Sequence, residues 1–270
     1  MVRRLPGRFP ALALAAISLL ATGRYAWWRV TTTLEFETLA QAVLGYGLLA
    51  AEAYTWLIVV LGFIQTAWPL KRAPAPLQGA PQSWPTVDVF IPTYNEPLSV
   101  VRPTVLAAMA LDWPADRFKV YLLDDGRREE FRAFAAEVGV QYIIRPDNHH
   151  AKAGNLNHAL QKTDGELVAI FDCDHLPTRS FLKTAVGWFQ RDPKCAMLQT
   201  PHHFFSPDPF ERNLGTFRRV PNEGALFYGL IQDGNDFWNA TFFCGSCAVI
   251  RREPLMEVGG IAVETVTEDA

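Results

Sequence analysis

Several things are scarce in this chain, and each scarcity excludes something. The 270 residues carry only four cysteines, Cys173, Cys195, Cys244 and Cys247. They are too few and too scattered for a disulfide framework, so reduced thiols facing a cytosol are expected. A basic excess is missing as well: 25 Lys and Arg against 28 Asp and Glu leave a formal net charge of -3, which argues against a nucleic-acid partner. No internal repeat is present, and no low-complexity tract beyond one Pro-rich stretch. No Walker A pattern occurs, which disfavours a P-loop kinase.

What the chain does have is apolar sequence, unevenly spread. Hydrophobic residues make up 49% of it. Phe9 to Thr22 is apolar throughout and follows Arg3, Arg4 and Arg8. Leu39 to Trp68 is a longer run whose single charge is Glu52. At roughly 1.5 Å per helical residue this second run spans a hydrocarbon core of about 30 Å. Between them Tyr25, Trp27 and Trp28 read as an interfacial aromatic belt. The expectation is a two-helix membrane hairpin over residues 1–72. The basic flanks at Arg3/Arg4 and Lys71/Arg72 place its outer ends in the cytoplasm, against the opposing signal of Arg24 and Arg29. A cleaved signal peptide over residues 1–26 is the competing reading. Glu52 faces either another helix, a polar pathway or a protein interface.

Residues 73–86, "APAPLQGAPQSWPT", read as a linker. From 87 to 270 strand and helix signals alternate. Strands are expected at "VDVFIPTY", "KVYLLDDG", "VQYIIRP", "ELVAIFDCD" and "CAMLQTPHHF". Helices are expected at Val100–Leu111, Glu129–Val138, Gly154–Gln161 and Ser180–Gln190. Such alternation implies an α/β, Rossmann-like domain with a mostly parallel sheet covered on both faces. Ligands of such sheets bind outside the carboxyl ends of the strands.

Polar residues gather at those ends. The first strand finishes in Thr93-Tyr94-Asn95-Glu96, the second in Asp124-Asp125-Gly126, the fourth in Asp172-Cys173-Asp174. Each alone is ordinary turn chemistry. Three on one sheet edge suggest a site. Asp172 and Asp174, one residue apart, repel unless a cation joins them, and oxygen-only ligation suits Mg²⁺ or Mn²⁺. His175 is either a hydrogen-bond donor near a leaving diphosphate or a structural loop residue. Lys152 and Gly154, read as lying just before a helix, make an anion site through free N–H groups and the helix dipole. His149 and His150 lack zinc spacing with the cysteines, and Cys244-Gly-Ser-Cys247 lacks the second pair of a structural zinc site. A redox dithiol there stays open, without a thioredoxin pattern around it.

Taken in order, "VDVFIPTYNE", "LLDDG", "HAKAGNLN", "DCDH", "FFCGSCAVIRR" and "ETVTEDA" resemble the processive family-2 glycosyltransferases, which have the GT-A fold. The "FFCGS" stretch and the T-E-D ending narrow the resemblance to members that build β-1,4-glucan (cellulose). Curdlan, chitin or hyaluronan synthesis and an inactive membrane scaffold are the rivals. The resemblance implies an inverting transfer of glucose from UDP-glucose to a β-glucan acceptor. It implies that Tyr94, Glu96 and Asp124 hold the uridine and Lys152 the diphosphate. Asp172 and Asp174 would bind the diphosphate through Mg²⁺ or Mn²⁺, and Phe243 and Cys244 would line the glucan end. Asp269 would be the general base. It further implies a multi-pass protein in the lipid bilayer of a bacterial inner membrane, with a cytosolic catalytic domain and a periplasmic accessory subunit. The family's Q-x-x-R-W motif, later membrane helices and cyclic di-GMP-binding PilZ domain do not occur in these 270 residues. The expectation is a fragment that neither polymerises nor translocates glucan by itself.

Overall fold

The computed structural model describes residues 8–265. Contacts divide the chain into two compact units, one of residues 1–71 with 229–240, the other of residues 72–228 with 241–270.

The first unit is built on two long helices, α1 (Arg8–Thr32) and α2 (Leu39–Thr66). Both are apolar enough and long enough to cross a membrane. Helix α1 outruns the apolar stretch at Phe9–Thr22 because nothing up to Thr32 breaks it. Tyr25, Trp27 and Trp28 therefore sit on the helix rather than in a turn. Thr38 opens α2 with a capping box, its hydroxyl taking the Gln41 N–H while the Gln41 side chain takes the Thr38 N–H. Glu52 meets Arg29 at 2.7 Å and accepts from the Tyr25 hydroxyl at 2.8 Å. Its partner is the neighbouring helix, and Arg29 belongs to α1 instead of a far-side turn.

The second unit alternates strands and helices: β1 (Val87–Thr93), α3 (Leu98–Met109), β2 (Phe118–Asp124), α4 (Glu129–Val138), β3 (Gln141–Ile143), α5 (Ala151–Leu160), β4 (Leu167–Ile170), α6 (Phe181–Arg191) and β5 (Met197–Gln199). Short helices α7 (Pro209–Leu214) and α8 (Glu223–Leu226) follow; α9 (Gln232–Phe237) belongs to the first unit. The second unit then closes with β6 (Ala248–Arg251) and α10 (Arg252–Glu257).

The six strands are ordered β3-β2-β1-β4-β6-β5. β1 pairs in parallel with β2 and β4, and β2 with β3; β6 runs antiparallel to both β4 and β5. Strand β6 was not expected from sequence. It is a four-residue strand with three apolar residues, Ala248 to Ile250, whose partner in β4 lies some 80 residues earlier, and local periodicity carries no sign of that. Side chains alternate across β1: Val87, Val89 and Ile91 enter one core with Val101, Phe131 and Leu182, while Phe90 enters the other with Leu156, Ile170 and Ile250. Helices thus cover both faces, and the parallel strands stay dry.

Residues 73–86 hold no helix or strand beyond a short 3₁₀ turn at Pro81–Ser83. They are pinned along α6 all the same. The Trp188 indole N–H donates to the Ala73 carbonyl at 3.1 Å, and the Gln78 N–H donates to the Gln190 side chain at 2.8 Å. Ala75 is buried against Gly187, where a Cβ would lie 2.0 Å from the Ala75 oxygen.

Candidate active site

Strand order decides where a ligand can enter. From β1 the chain steps to β2 and β3 on one side, then returns to place β4 on the other. The crevice beyond the carboxyl ends of β1 and β4 is therefore the topological switch point of the sheet. Register aligns those ends, with Thr93 opposite Asp124 and Phe90 opposite Ile170. A cavity of about 420 Å³ opens there, lined by Thr93, Tyr94, Glu96, Asp125, Lys152, Asn155, Asp172, Cys173 and Asp174 among others.

The loop after β1 is shaped by Glu96. Its carboxylate accepts from the Tyr94 N–H and the Thr93 hydroxyl, each at 2.8 Å. Burial alone would raise its pKa. The Tyr94 N–H, the Thr93 hydroxyl and the Arg128 guanidinium outweigh that and hold it below the ordinary range. Tyr94 is left exposed at the rim.

After β2 the two aspartates separate in role. Asp124 is fully buried and does not line the cavity. It accepts from the Gly126 and Arg128 N–H groups, the Arg128 guanidinium and the Tyr142 hydroxyl, at 2.8 to 3.1 Å. Its acceptor positions are taken by the turn it organises. Asp125 does line the cavity and is clamped by Arg145 through two bonds of 2.7 and 2.5 Å.

Helix α5 starts at Ala151, three residues earlier than the sequence suggested, so Lys152 and Gly154 lie inside its first turn. Residues 150 and 151 have φ of 60° and 41°, a left-handed entry that the hydrophobic spacing does not reveal. Gly154 serves packing: a Cβ there would lie 2.1 Å from the His149 carbonyl and 2.5 Å from the Arg145 guanidinium. Lys152 reaches across the crevice, its Nζ 2.5 Å from Asp172 Oδ1 and 2.8 Å from the Gly245 carbonyl.

This pairing bears on the two like charges after β4. Lys152 supplies a cation to Asp172, whose side chain is 34% exposed, while the Asp174 side chain is 66% exposed. His175 lies between them, 3.8 Å from Asp172 Oδ2 and 3.9 Å from Asp174 Oδ1. Both carboxylates border the cavity, and Asp172 keeps Oδ2 off the lysine. An oxygen set of this kind fits a hard divalent cation together with a diphosphate. Cys173, between them, points into the core, and burial pushes its thiol up to about 12.

The F-F-C-G-S segment reaches the crevice through its backbone and its serine. Phe243 packs on the core beside α5, and Cys244 donates its N–H to Gln199 Oε1 at 2.9 Å. Neither lines the cavity. Ser246 is fully buried; its Oγ takes the Asp172 N–H at 2.8 Å and lies 2.7 Å from His175 Nδ1. Burial lowers the pKa of His202, and burial raises Cys247 to about 11. The thiols of Cys173 and Cys247 are free. Asp269, the expected base, falls outside the described residues. Sequence reasoning gave no individual role to Asp125, Asn155 or Ser246, although all three stand inside the quoted motifs.

A doubly covered, mostly parallel sheet with an acidic pair at its switch point defines the glycosyltransferase GT-A fold. The model for "Glycosyl transferase family 2" matches residues 88–259, and the chain belongs to that family. It is 65% identical over all 270 residues to the cellulose synthase catalytic subunit [UDP-forming] of Pseudomonas fluorescens (strain SBW25), and 63% identical over 269 residues to that of Xanthomonas axonopodis pv. citri (strain 306). The chain spans 36% and 37% of the length of these relatives. Among solved structures, a mannosyltransferase from Pyrobaculum calidifontis, in complex with GDP-Man and Mn²⁺, superposes with a TM-score of 0.54. It is 24% identical and covers 81% of this chain and 59% of its own; it shares the fold.

Proposed function

We propose that the chain is the nucleotide-sugar-binding part of an enzyme that transfers glucose from UDP-glucose to the 4-hydroxyl of a growing β-1,4-glucan, with inversion. The observation that carries this is convergence. Tyr94, Glu96, Lys152, Asp172 and Asp174 come from three separate sequence segments and border one cavity at the switch point. The cellulose synthase relatives favour glucose and cellulose over curdlan, chitin or hyaluronan.

In this reading Tyr94 and Glu96 frame the uridine pocket, and Asp124 acts from beneath by fixing the turn rather than by touching the base. Lys152 has three ammonium protons; two already point at Asp172 and Gly245, and the third serves the diphosphate. Asp172 and Asp174 would hold Mg²⁺ or Mn²⁺, which offsets charge gathering on UDP as it leaves. The acceptor hydroxyl attacks the anomeric carbon from the face opposite UDP. Asp269 takes its proton, the C–O bond to UDP breaks, and α becomes β without a covalent enzyme intermediate. Phe243 and Cys244 belong to the segment that faces the acceptor. The apolar helices anchor the protein in a bacterial inner membrane, with the transferase unit in the cytosol and a periplasmic accessory subunit beyond the bilayer.

The test uses the full-length protein in detergent and reads two quantities. UDP affinity is measured by calorimetry with Mg²⁺, and turnover as radiolabelled, cellulase-sensitive polymer. Asp174→Ala should weaken UDP binding by about tenfold or more and abolish polymer. Asp269→Asn should abolish polymer and leave UDP affinity unchanged. Equal loss of nucleotide affinity in both variants would overturn this division of roles.

A further inference from the structure

Behind Asp172 lies a group of donors for which the transfer reaction has no need. Among the described residues, His175, His202 and Cys247 offer three ligand atoms that all lie within 4.8 Å of one another. They come from three loops, after β4, after β5 and before β6, so only the folded sheet assembles them. Cys247 adopts a left-handed backbone, φ 54°, that few non-glycine residues take.

The chemistry of this set differs from that of the carboxylate pair. Two imidazoles and a thiol suit borderline-soft ions such as Zn²⁺, whereas Mg²⁺ takes oxygen. His175 Nδ1 and Cys247 Sγ are 3.6 Å apart. Two such donors on a tetrahedral zinc ion stand about 3.5 Å apart, given Zn–S of about 2.3 Å and Zn–N of about 2.0 Å. The widest pair, within 4.8 Å, has to close by about 1.3 to 1.5 Å, within the reach of side-chain rotation in three half-buried residues. An outer partner is present too. The Tyr228 hydroxyl lies 2.8 Å from His202 Nδ1 and orients the ring, while Nε2 donates to the Ser246 carbonyl at 3.0 Å. Moving the ring proton from Nε2 to Nδ1, where it would bond to the tyrosine oxygen, breaks the hydrogen bond from Nε2 to the Ser246 carbonyl and frees Nε2 to ligate. A fourth donor is at hand: Asp172 Oδ2 is 3.8 Å from His175 Nδ1.

We infer that His175, His202 and Cys247 form a thiolate-containing site for a borderline-soft divalent cation of the Zn²⁺ class, separate from the Asp172/Asp174 pair and coupled to it through Asp172. Binding is a simple exchange. The Cys247 thiol gives its proton to solvent, sulfur coordinates the ion, and nothing is oxidised or reduced. An ion seated there draws on Asp172 and thereby weakens nucleotide binding at the neighbouring cavity. That coupling rests on the glycosyltransferase reading; the ion site itself does not.

Co²⁺ is the probe, because a thiolate ligand gives it a sulfur-to-metal charge-transfer absorption that oxygen ligands do not. The full-length protein, reduced and metal-free in detergent, is titrated with Co²⁺. A saturable absorption is expected, abolished by excess Zn²⁺ and by Cys247→Ser, and retained in Cys244→Ser. His202→Ala should weaken Co²⁺ at least about tenfold. In a parallel titration Zn²⁺ should lower UDP affinity in the wild type and leave it unchanged in Cys247→Ser, whose own UDP binding reports that it is folded. Absence of the absorption at saturating Co²⁺, or its survival in Cys247→Ser, would overturn the site and leave a hydrogen-bond cluster centred on Ser246. A wild type that binds Co²⁺ through Cys247 yet never binds UDP would support the site and count against the glycosyltransferase reading.

Discussion

At the scale of single residues, the site depends on carboxylates held in different ways. Asp125 and Asp124 are spent on Arg145 and Arg128, whereas Asp172 is partly spent on Lys152 and Asp174 faces outward. The apparent need for an outside cation after β4 is thus partly met from within, by a lysine 20 residues earlier in sequence. Glu96 gives a pH prediction. Its folded pKa lies below the ordinary 4.5, so its stabilising contribution is complete above that value and fades as pH falls through the lower, folded one. Glu96→Gln should therefore unfold more readily than wild type at neutral pH, and the gap between their thermal midpoints should shrink below about pH 4. A gap that is constant with pH would show that this carboxylate's charge contributes nothing.

At the scale of elements, the start of α5 sets the crevice, because it carries Lys152 to Asp172. Gly154 allows Arg145 and the His149 carbonyl to pack against this turn. Gly154→Ala would press a methyl group into backbone and into a buried guanidinium. The expected cost is about 1 to 3 kcal/mol, read from chemical denaturation of the purified protein, with UDP affinity falling alongside. An unchanged midpoint would mean that the helix start shifts freely. Sequence periodicity placed this start too late, since the left-handed residues at 150 and 151 have no apolar signature. It extended the fifth strand well beyond Met197–Gln199 and passed over β6 for a related reason: both are stabilised by pairing with each other, not by local pattern.

At the scale of the molecule, the long helices of the first unit and the sheet of the second treat their apolar side chains differently. Helices α1 and α2 expose Leu14, Ile17, Leu20, Leu44, Leu57 and Ile58, while the large aliphatic side chains of β1, β2 and β4 are buried. A bilayer-dissolved photolabel should tag residues 9–66 heavily and spare residues 87–170. Equal labelling of both would contradict membrane insertion of the helices.

Much was determined by the sequence alone. Two long apolar runs dictate two long helices, and alternating strand and helix signals dictate a covered parallel sheet. The motifs at Thr93–Glu96, Lys152 and Asp172–Asp174 marked one edge of that sheet. Tertiary structure decided which of those residues meet. It withdrew Asp124 from the cavity, turned Lys152 onto Asp172, buried Ser246 beneath both, and drew His175, His202 and Cys247 together. The physical reason is range. Periodicity and turn chemistry are local, whereas hydrogen-bond satisfaction of a buried carboxylate or a half-buried imidazole is settled by whichever donors strand order brings close, and these lie 20 to 71 residues apart (Lys152 and Asp172, His175 and Ser246).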